Sequence, residues 1–186
     1  MKIKEKLLIT IPVIAMIAIA GFIYWLLIYR KEGQCIGLLQ SEISLVDFGW
    51  CLAGLACGLA VLFIFIKLIP MKMMYDPNVR LLADSFSMKF LGVYFIPNAF
   101  YEELLFRGAL QHLFGIVPAT LIFALVHISY YKKPALLVEA FCQGLILGLM
   151  FQLTGSVWIT TIAHAAINTI QVWMIKKDVI EYRDRI

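Results

Sequence analysis

Long apolar segments are the feature that most constrains the fold of this chain. Hydrophobic residues make up 62% of its 186 residues and charged residues only 15%. The apolar runs are long enough for membrane helices, since one crossing takes about 20 residues. Inside a bilayer the backbone must satisfy its own hydrogen bonds, which a helix does, whereas a membrane β-barrel would require alternating apolar and polar residues. The sequence therefore predicts an all-α, polytopic transmembrane helical bundle.

About six spans are predicted, joined by polar or turn-forming segments. They cover about residues 7–29 and 49–69, a run that starts near Met88, a run that ends near Tyr131, and residues 135–153 and 157–175. Gly115 and Pro118 predict a short turn between the third and fourth spans. Residues 70–87 are predicted to form a loop, because Asp76-Pro77-Asn78 is a turn signal. Gly54 and Gly58 give the second span a face suited to close helix packing.

The basic residues predict how these spans are oriented. With six spans and a cytoplasmic N-terminus, thirteen Lys and Arg lie on the inner side and only Arg30 and Lys31 on the outer side. An excess of basic residues marks the cytoplasmic side of a membrane protein. We therefore expect a multi-pass protein of a prokaryotic plasma membrane with both termini in the cytoplasm.

A charged stretch interrupts the third span. A charged side chain at the centre of a membrane helix costs roughly 2.5–3.5 kcal/mol, so carboxylates rarely occur there without a function. Glu103 and Arg107 are four residues apart, on one helix face, and can neutralise each other. Glu102 points about 100° away from Glu103 and is predicted to stay unpaired within the helix. This arrangement suits a site that needs a reactive carboxylate.

Three further polar residues are predicted to meet Glu102. His127 lies in the fourth span, while His164 and Asn168 share one face of the sixth. At 1.5 Å per residue, Glu102, His127 and His164 lie roughly 9, 15 and 11 Å below the outer surface. Each alone could be a structural hydrogen-bonding residue, but their convergence predicts a functional site. A structural role is expected for the other polar residues in or near the spans, among them Asn98, Glu139 and Gln143.

Together these residues resemble the motifs of the CPBP family, the CAAX-protease and bacteriocin-processing intramembrane proteases, also called the Abi family. In chain order the motifs are Glu102-Glu103-x-x-x-Arg107, Phe123-x-x-x-His127 and His164-x-x-x-Asn168. The resemblance covers about residues 88–175. It divides the chain into two N-terminal transmembrane helices with their loops (1–87) and a catalytic helical core with a charged C-terminal tail (88–186).

The resemblance implies an intramembrane endopeptidase of the glutamic type that hydrolyses a peptide bond near a membrane-embedded or lipidated segment. Glu102 would activate water, and His127 would help to position that water. His164 and Asn168 would stabilise the oxyanion. Supporting roles would fall to Glu103, Arg107 and Phe123.

Metal use stays open at this point. Glu102, His127 and His164 could supply three zinc ligands and leave one position for water. The His-Glu-x-x-His spacing of common zinc proteases is missing, and a mechanism without a metal cofactor is the preferred expectation. The expected partners are a membrane-anchored peptide or protein substrate and the lipid bilayer. Nucleic acid is not expected, because acidic residues interleave with the basic residues of the tail.

Other classes of function are weighed against this one. A non-hydrolytic bacteriocin-immunity or membrane scaffold protein could use the same fold, but it has no reason to keep an unpaired carboxylate. A proton-coupled transporter is disfavoured because the chain is short and has no repeated halves. A serine protease is disfavoured because Ser156 lies at the end of a span. CAAX-processing relatives act on cytosolic tails, whereas the estimated depth places this site in the outer half of the bilayer.

Overall fold

The computed structural model describes residues 3–38, 43–177 and 179, with side chains from residue 10 onwards. Within these residues the fold is all-helical and contains no strand, as predicted. The seven main helices are α1 (Ile3–Tyr24), α2 (Leu45–Leu68), α3 (Pro77–Ser85), α4 (Met88–Glu103), α5 (Ile116–Leu125), α6 (Pro134–Thr154) and α7 (Val157–Lys176). Apart from residue 179, the predicted charged tail beyond residue 177 lies outside the described residues.

Two helices continue into wider π-helical turns. The first, α1, passes into the π segment Trp25–Tyr29. The second, α4, passes into the π segment Leu104–Gln111 and the helical run ends at Phe114. Gly115, with a φ of 84°, then redirects the chain into α5. The second π segment carries Arg107, and π turns of this kind occur frequently at functional sites.

The lengths and surfaces of the helices fit a membrane bundle. Three helical segments among the described residues are long and apolar enough to cross a membrane: Thr10–Glu32, Leu45–Leu68 and Pro134–Thr154. Large apolar side chains face outward, including Phe22, Phe63 and Val93. An exposed apolar surface of this extent requires a non-aqueous neighbour, which lipid supplies. The count of six spans and the sides of the termini remain predictions.

Helices α4 and α7 pack along each other at the centre of the bundle. The apolar part of their contact includes Leu91, Phe95, Ala99 and Val172, all of which are buried. Helix α6 packs against α2 and α5, and α1 packs against α4 and the π segment that follows it. The two N-terminal helices therefore belong to the same bundle as the helices that carry the motifs, while the division of the chain at residue 88 stays a prediction.

The predicted close-packing face of α2 is confirmed. A Cβ atom at Gly58 would lie 2.5 Å from Cδ1 of Ile167 and 2.9 Å from Oε1 of Gln143. A Cβ atom at Gly54 would overlap the thioether of Met150. A larger residue at either position would require these side chains of α6 and α7 to move, so glycine allows α2 to approach the two helices this closely.

The segment predicted as a loop before α4 is partly helical. It contains a short 3₁₀ turn, Met71–Met73, and the nine-residue helix α3. The side chain of Asp76 accepts a hydrogen bond from the backbone N–H of Asn78, and Pro77 occupies the first helical turn. The residues interpreted as a turn signal are thus an N-cap followed by a proline, which begins a helix.

The fourth predicted span is shorter than expected. Helix α5 ends at Leu125 instead of near Tyr131, and Pro118 lies in its first turns rather than in the preceding connection. His127 therefore lies just beyond α5, before the 3₁₀ turn Ile128–Tyr130, and not inside a helix. No Gly or Pro marks this end in the sequence, so local residue preferences did not indicate it.

We predict that Gly58→Leu destabilises the protein by about 1–3 kcal/mol, because the added side chain must push α2 away from α6 and α7. Thermal unfolding of the purified protein in detergent would measure the loss. Gly49→Leu is the matched control, since Gly49 lies on the same helix and a Cβ atom there meets nothing within 4 Å. Equal unfolding midpoints for the two variants would contradict the close packing.

Candidate active site

The residues predicted to converge line one cavity. The cavity has a volume of about 180 Å³ and lies among α3, α4, α6, α7 and the end of α5. Glu102, His127, His164 and Asn168 all contribute to its wall. Residues separated by up to 66 positions are therefore brought together, as the predicted convergence requires.

A buried ion pair lies behind one wall of this cavity. The predicted pair is present, with Arg107 Nε 3.2 Å from Glu103 Oε2, and both side chains are almost fully buried. Arg107 Nη2 also donates a hydrogen bond to the carbonyl oxygen of Gly144 on α6, at 3.1 Å. The guanidinium carbon lies 4.8 Å from the centre of the Phe123 ring on α5. The pair thus connects α4 and its π segment to two neighbouring helices.

Glu103 also fixes the orientation of His164. Its Oε1 atom lies 2.8 Å from His164 Nδ1. A carboxylate paired with a guanidinium can only accept hydrogen bonds, so Nδ1 of His164 carries the hydrogen and donates a hydrogen bond to Glu103. The other ring nitrogen, Nε2, then faces Glu102, 3.9 Å from Oε2. That separation is too long for a direct hydrogen bond between them.

Glu102 has a hydrogen-bond partner on its own helix. Asn98, one turn earlier, donates from Nδ2 to Glu102 Oε1 at 3.3 Å, and Tyr101 Oη lies 3.4 Å from Asn98 Oδ1. Within its own helix Glu102 thus has no charged partner among the described ion pairs, as predicted, but it accepts a hydrogen bond from a neutral amide. Among the described ion pairs, Glu102 takes part in one, its contact of 3.9 Å with His164. Its side chain is 14% exposed and lines the cavity.

His127 is held in place although it lies outside a helix. Its Nδ1 atom is 2.7 Å from the carbonyl oxygen of Phe123. A carbonyl can only accept, so Nδ1 carries a proton, and Nε2 of the neutral ring has a free lone pair. The ring also stacks on Tyr130, with ring centres 5.1 Å apart, and meets Phe123 edge-on at 5.0 Å. Phe123 therefore contacts both His127 and Arg107, and its supporting role stays a prediction.

Asn168 lies one helical turn after His164 on α7 and lines the same cavity. Its side chain is partly buried. None of the hydrogen bonds that we find between described residues uses its amide, which leaves two N–H donors for a group inside the cavity. The prediction that His164 and Asn168 share one face is confirmed by their common wall.

Several polar cavity residues were missed by the interpretation of the sequence, among them Asn98, Glu139 and Gln143. Each is a polar residue within an apolar helix and was expected to be structural. The signal that could have found them is spacing, because Asn98 and Glu102, like Glu139 and Gln143, are four residues apart on one helix face.

The side chains as they lie in this structure do not form a metal site. Across the described part of the chain, no three His, Cys, Asp or Glu side chains come close enough together to hold a metal ion. The choice between a site without a metal and zinc bound by Glu102, His127 and His164 stays a prediction.

The part of the chain that carries most of this cavity matches a known protein family. Residues 84–170 match a family model described as "Type II CAAX prenyl endopeptidase Rce1-like". All the cavity residues on α4, α5, α6 and α7 up to Asn168 fall within this match. A stretch of 72 residues is 40% identical to "Uncharacterized protein YpbD" of Bacillus subtilis (strain 168), and it covers 39% of this chain and 38% of that protein's length. No solved structure matches significantly.

We predict that Glu103→Gln destabilises the protein by about 3–5 kcal/mol, because it leaves the Arg107 guanidinium buried without a counter-charge. Thermal unfolding in detergent would measure this loss. Asp84→Asn removes the same charge from an exposed ion pair with Arg80, and its expected cost is below about 1 kcal/mol. A Glu103→Gln variant as stable as Asp84→Asn would contradict the structural importance of the buried pair.

Proposed function

We propose that the chain is an intramembrane endopeptidase that hydrolyses a peptide bond near a membrane-embedded or lipidated segment, because residues 84–170 match the Rce1-like family of type II CAAX prenyl endopeptidases. The resemblance to the CPBP family is confirmed by this match. The observation that carries the proposal is that Glu102 and His164 face each other across one cavity, with Asn168 beside them.

Glu102 is proposed to be the general base. Asn98 donates a hydrogen bond to one of its carboxylate oxygens, and the other oxygen lies 3.9 Å from Nε2 of His164. A water molecule that donates to this second oxygen would lose a proton to it while the water oxygen attacks the carbonyl carbon of the substrate. The new C–O bond gives a tetrahedral intermediate. The C–N bond then breaks, and the departing amine takes the proton from Glu102.

His164 and Asn168 are proposed to stabilise the negative charge of the intermediate. Glu103 holds Nδ1–H of His164 in place, and a carboxylate there stabilises a positively charged imidazole ring. The Nε2–H of that ring and the amide of Asn168 can then donate hydrogen bonds to the oxyanion. Donors that are already oriented in a water-poor site stabilise such a charge more strongly than they would in bulk water.

His127 is proposed to help position the attacking water. Its ring is fixed by the Phe123 carbonyl and by Tyr130, and its Nε2 lone pair can accept a hydrogen bond. No step of this mechanism uses a metal. The proposed partners are a membrane-anchored peptide or protein and the lipid bilayer of a prokaryotic plasma membrane.

The extent of the cavity bears on the side from which a substrate enters. From Glu102 the cavity continues along α4 to Phe95 and reaches Val79 and Leu82 on α3. In the predicted topology α3 lies in a cytoplasmic segment, so entry from the α3 side would bring substrates from the cytoplasm. Phe95 precedes Glu102 by seven positions, a rise of about 10 Å along the helix, so a catalytic group in the outer half is compatible with entry from the inner side.

We predict that Glu102→Gln lowers cleavage at least about 100-fold, because the amide cannot accept a proton from water. Purified wild type and variant would be assayed in detergent on three membrane-anchored peptides: a prenylated CAAX tail, a bacteriocin leader and a C-terminal sorting tail. Glu32→Gln is the matched control, since Glu32 is exposed and outside the cavity.

Three results would count against the proposal. Cleavage by Glu102→Gln at the wild-type rate would remove Glu102 from the mechanism. Loss of wild-type cleavage with a strong chelator would contradict the proposed absence of a metal. Failure of the wild type to cleave any peptide of the panel would favour a non-hydrolytic immunity or scaffold protein.

We also predict that Asn98→Ala lowers kcat about tenfold and leaves KM nearly unchanged, because Asn98 orients the Glu102 carboxylate without being assigned a contact with the substrate. Steady-state kinetics on a peptide that the wild type cleaves would separate the two constants. Gln152→Ala, which changes an exposed amide on α6, serves as the control and should leave both constants unchanged. A rise in KM with unchanged kcat would assign Asn98 to substrate binding.

A further inference from the structure

A second carboxylate lines the cavity and has no role in the mechanism above. Glu139 lies on α6, in the wall formed by that helix, whereas Glu102 belongs to α4. Its side chain is buried, and the residue is only 8% exposed. A buried carboxylate is costly to keep, so its presence in the wall of a catalytic cavity needs an explanation.

The Glu139 carboxylate accepts few hydrogen bonds within the described part of the chain. Its Oε1 atom accepts one hydrogen bond, of 3.1 Å, from Gln143 Nε2. The same amide nitrogen also donates to the carbonyl oxygen of Gly58, at 2.9 Å. Oε1 of Gln143 is buried and has no hydrogen-bond partner among these residues. A carboxylate can accept about four hydrogen bonds, so a single neutral donor leaves most of its capacity unused.

The charges around the cavity are unequal. Glu102 and Glu139 line it, and Glu103 lies behind its wall. Among the described ion pairs, Arg107 pairs with Glu103, while none of them gives Glu139 a basic partner. Even with His164 charged, as proposed above, these three carboxyl groups outnumber the two basic groups, Arg107 and His164, and a positively charged group would be attracted into the cavity.

The rest of the cavity wall indicates what else such a ligand must carry. Apolar side chains from four helices complete it, including those of Val79, Leu82, Phe95, Leu136 and Val172. An apolar segment with a positively charged side chain would match both the apolar wall and the carboxylate. A hydrated metal ion would not match the apolar wall, and a small anion would match neither the wall nor the carboxylate.

We propose that Glu139 forms a subsite for a lysine or arginine side chain of the membrane-anchored substrate, close to the bond that is cleaved. This inference rests on the proposed endopeptidase function and extends it to a substrate class. The cationic side chain would donate hydrogen bonds to the free oxygen of Glu139, and Gln143 would hold the carboxylate in position through its bond to the α2 backbone. Charge-assisted hydrogen bonds of this kind are the stronger ones in proteins.

The test uses peptides that differ at one residue. A membrane-anchored peptide that the protein cleaves is made with Lys, Arg, Gln or Glu at each position near the cleaved bond. The full-length wild type is expected to prefer Lys or Arg over Gln at one position by about tenfold or more in kcat/KM, equivalent to about 1.4 kcal/mol. Glu139→Gln should reduce that preference to about one. It should retain cleavage of the Gln peptide. Asp84→Asn, which removes the same charge outside the cavity, should keep the preference.

A binding experiment tests the subsite independently of the proposed reaction. Photo-crosslinking measures how tightly the Glu102→Gln protein binds the Lys and Gln peptides, with and without Glu139→Gln. If no peptide is cleaved but Lys peptides bind more tightly through Glu139, the subsite stands and the protease function fails. Cleavage without any preference for Lys or Arg overturns the subsite alone.

A second variant covers a possible loss of folding. If Glu139→Gln does not give a monodisperse protein, Glu139→Lys is tested with the Glu peptide, for which a reversed preference is expected. Equal cleavage and equal binding of the Lys, Arg and Gln peptides by the wild type at every position would overturn the inference without the use of any variant.

Discussion

The buried ion pair between Glu103 and Arg107 is the interaction on which the candidate site depends. Arg107 joins the π segment after α4 to the backbone of α6 and to the ring of Phe123 on α5, while Glu103 holds His164 on α7. Four parts of the bundle therefore meet at one pair of charges. Without these partners, the free energy of desolvating the two charges would exceed the gain from their mutual attraction. The surrounding contacts must therefore form together with the pair.

The pair also separates the roles of two adjacent carboxylates. Glu103 is fully buried, and its contacts with Arg107 and His164 leave it no access to the cavity contents. Glu102, one residue earlier, lines the cavity and has an oxygen facing His164. A helix turns about 100° per residue, so neighbouring residues necessarily face different surroundings. One carboxylate can thus organise the imidazole ring while the other remains available for chemistry.

Pairs of residues on one helix face could be predicted from the sequence. The positions at which helices begin and end were harder to predict. The Glu103–Arg107 pair and the common face of His164 and Asn168 follow from the helical period, and both are present. The end of α5 before His127 was not predictable, because apolar residues continue through it and tertiary contacts decide where such a helix stops. The helix α3 was missed because aspartate followed by proline begins a helix as readily as it makes a turn.

The sequence by itself determined an all-helical chain with apolar surfaces, a glycine face on α2 and pairs of residues on common helix faces, because these depend on composition and on a period of 3.6 residues. Only the tertiary structure decided which faces meet. It places Glu139 and Gln143 in the same cavity as Glu102, and it gives Arg107 an acceptor on α6, 37 residues away. Such contacts depend on how whole helices pack, and no local pattern of residues encodes that arrangement.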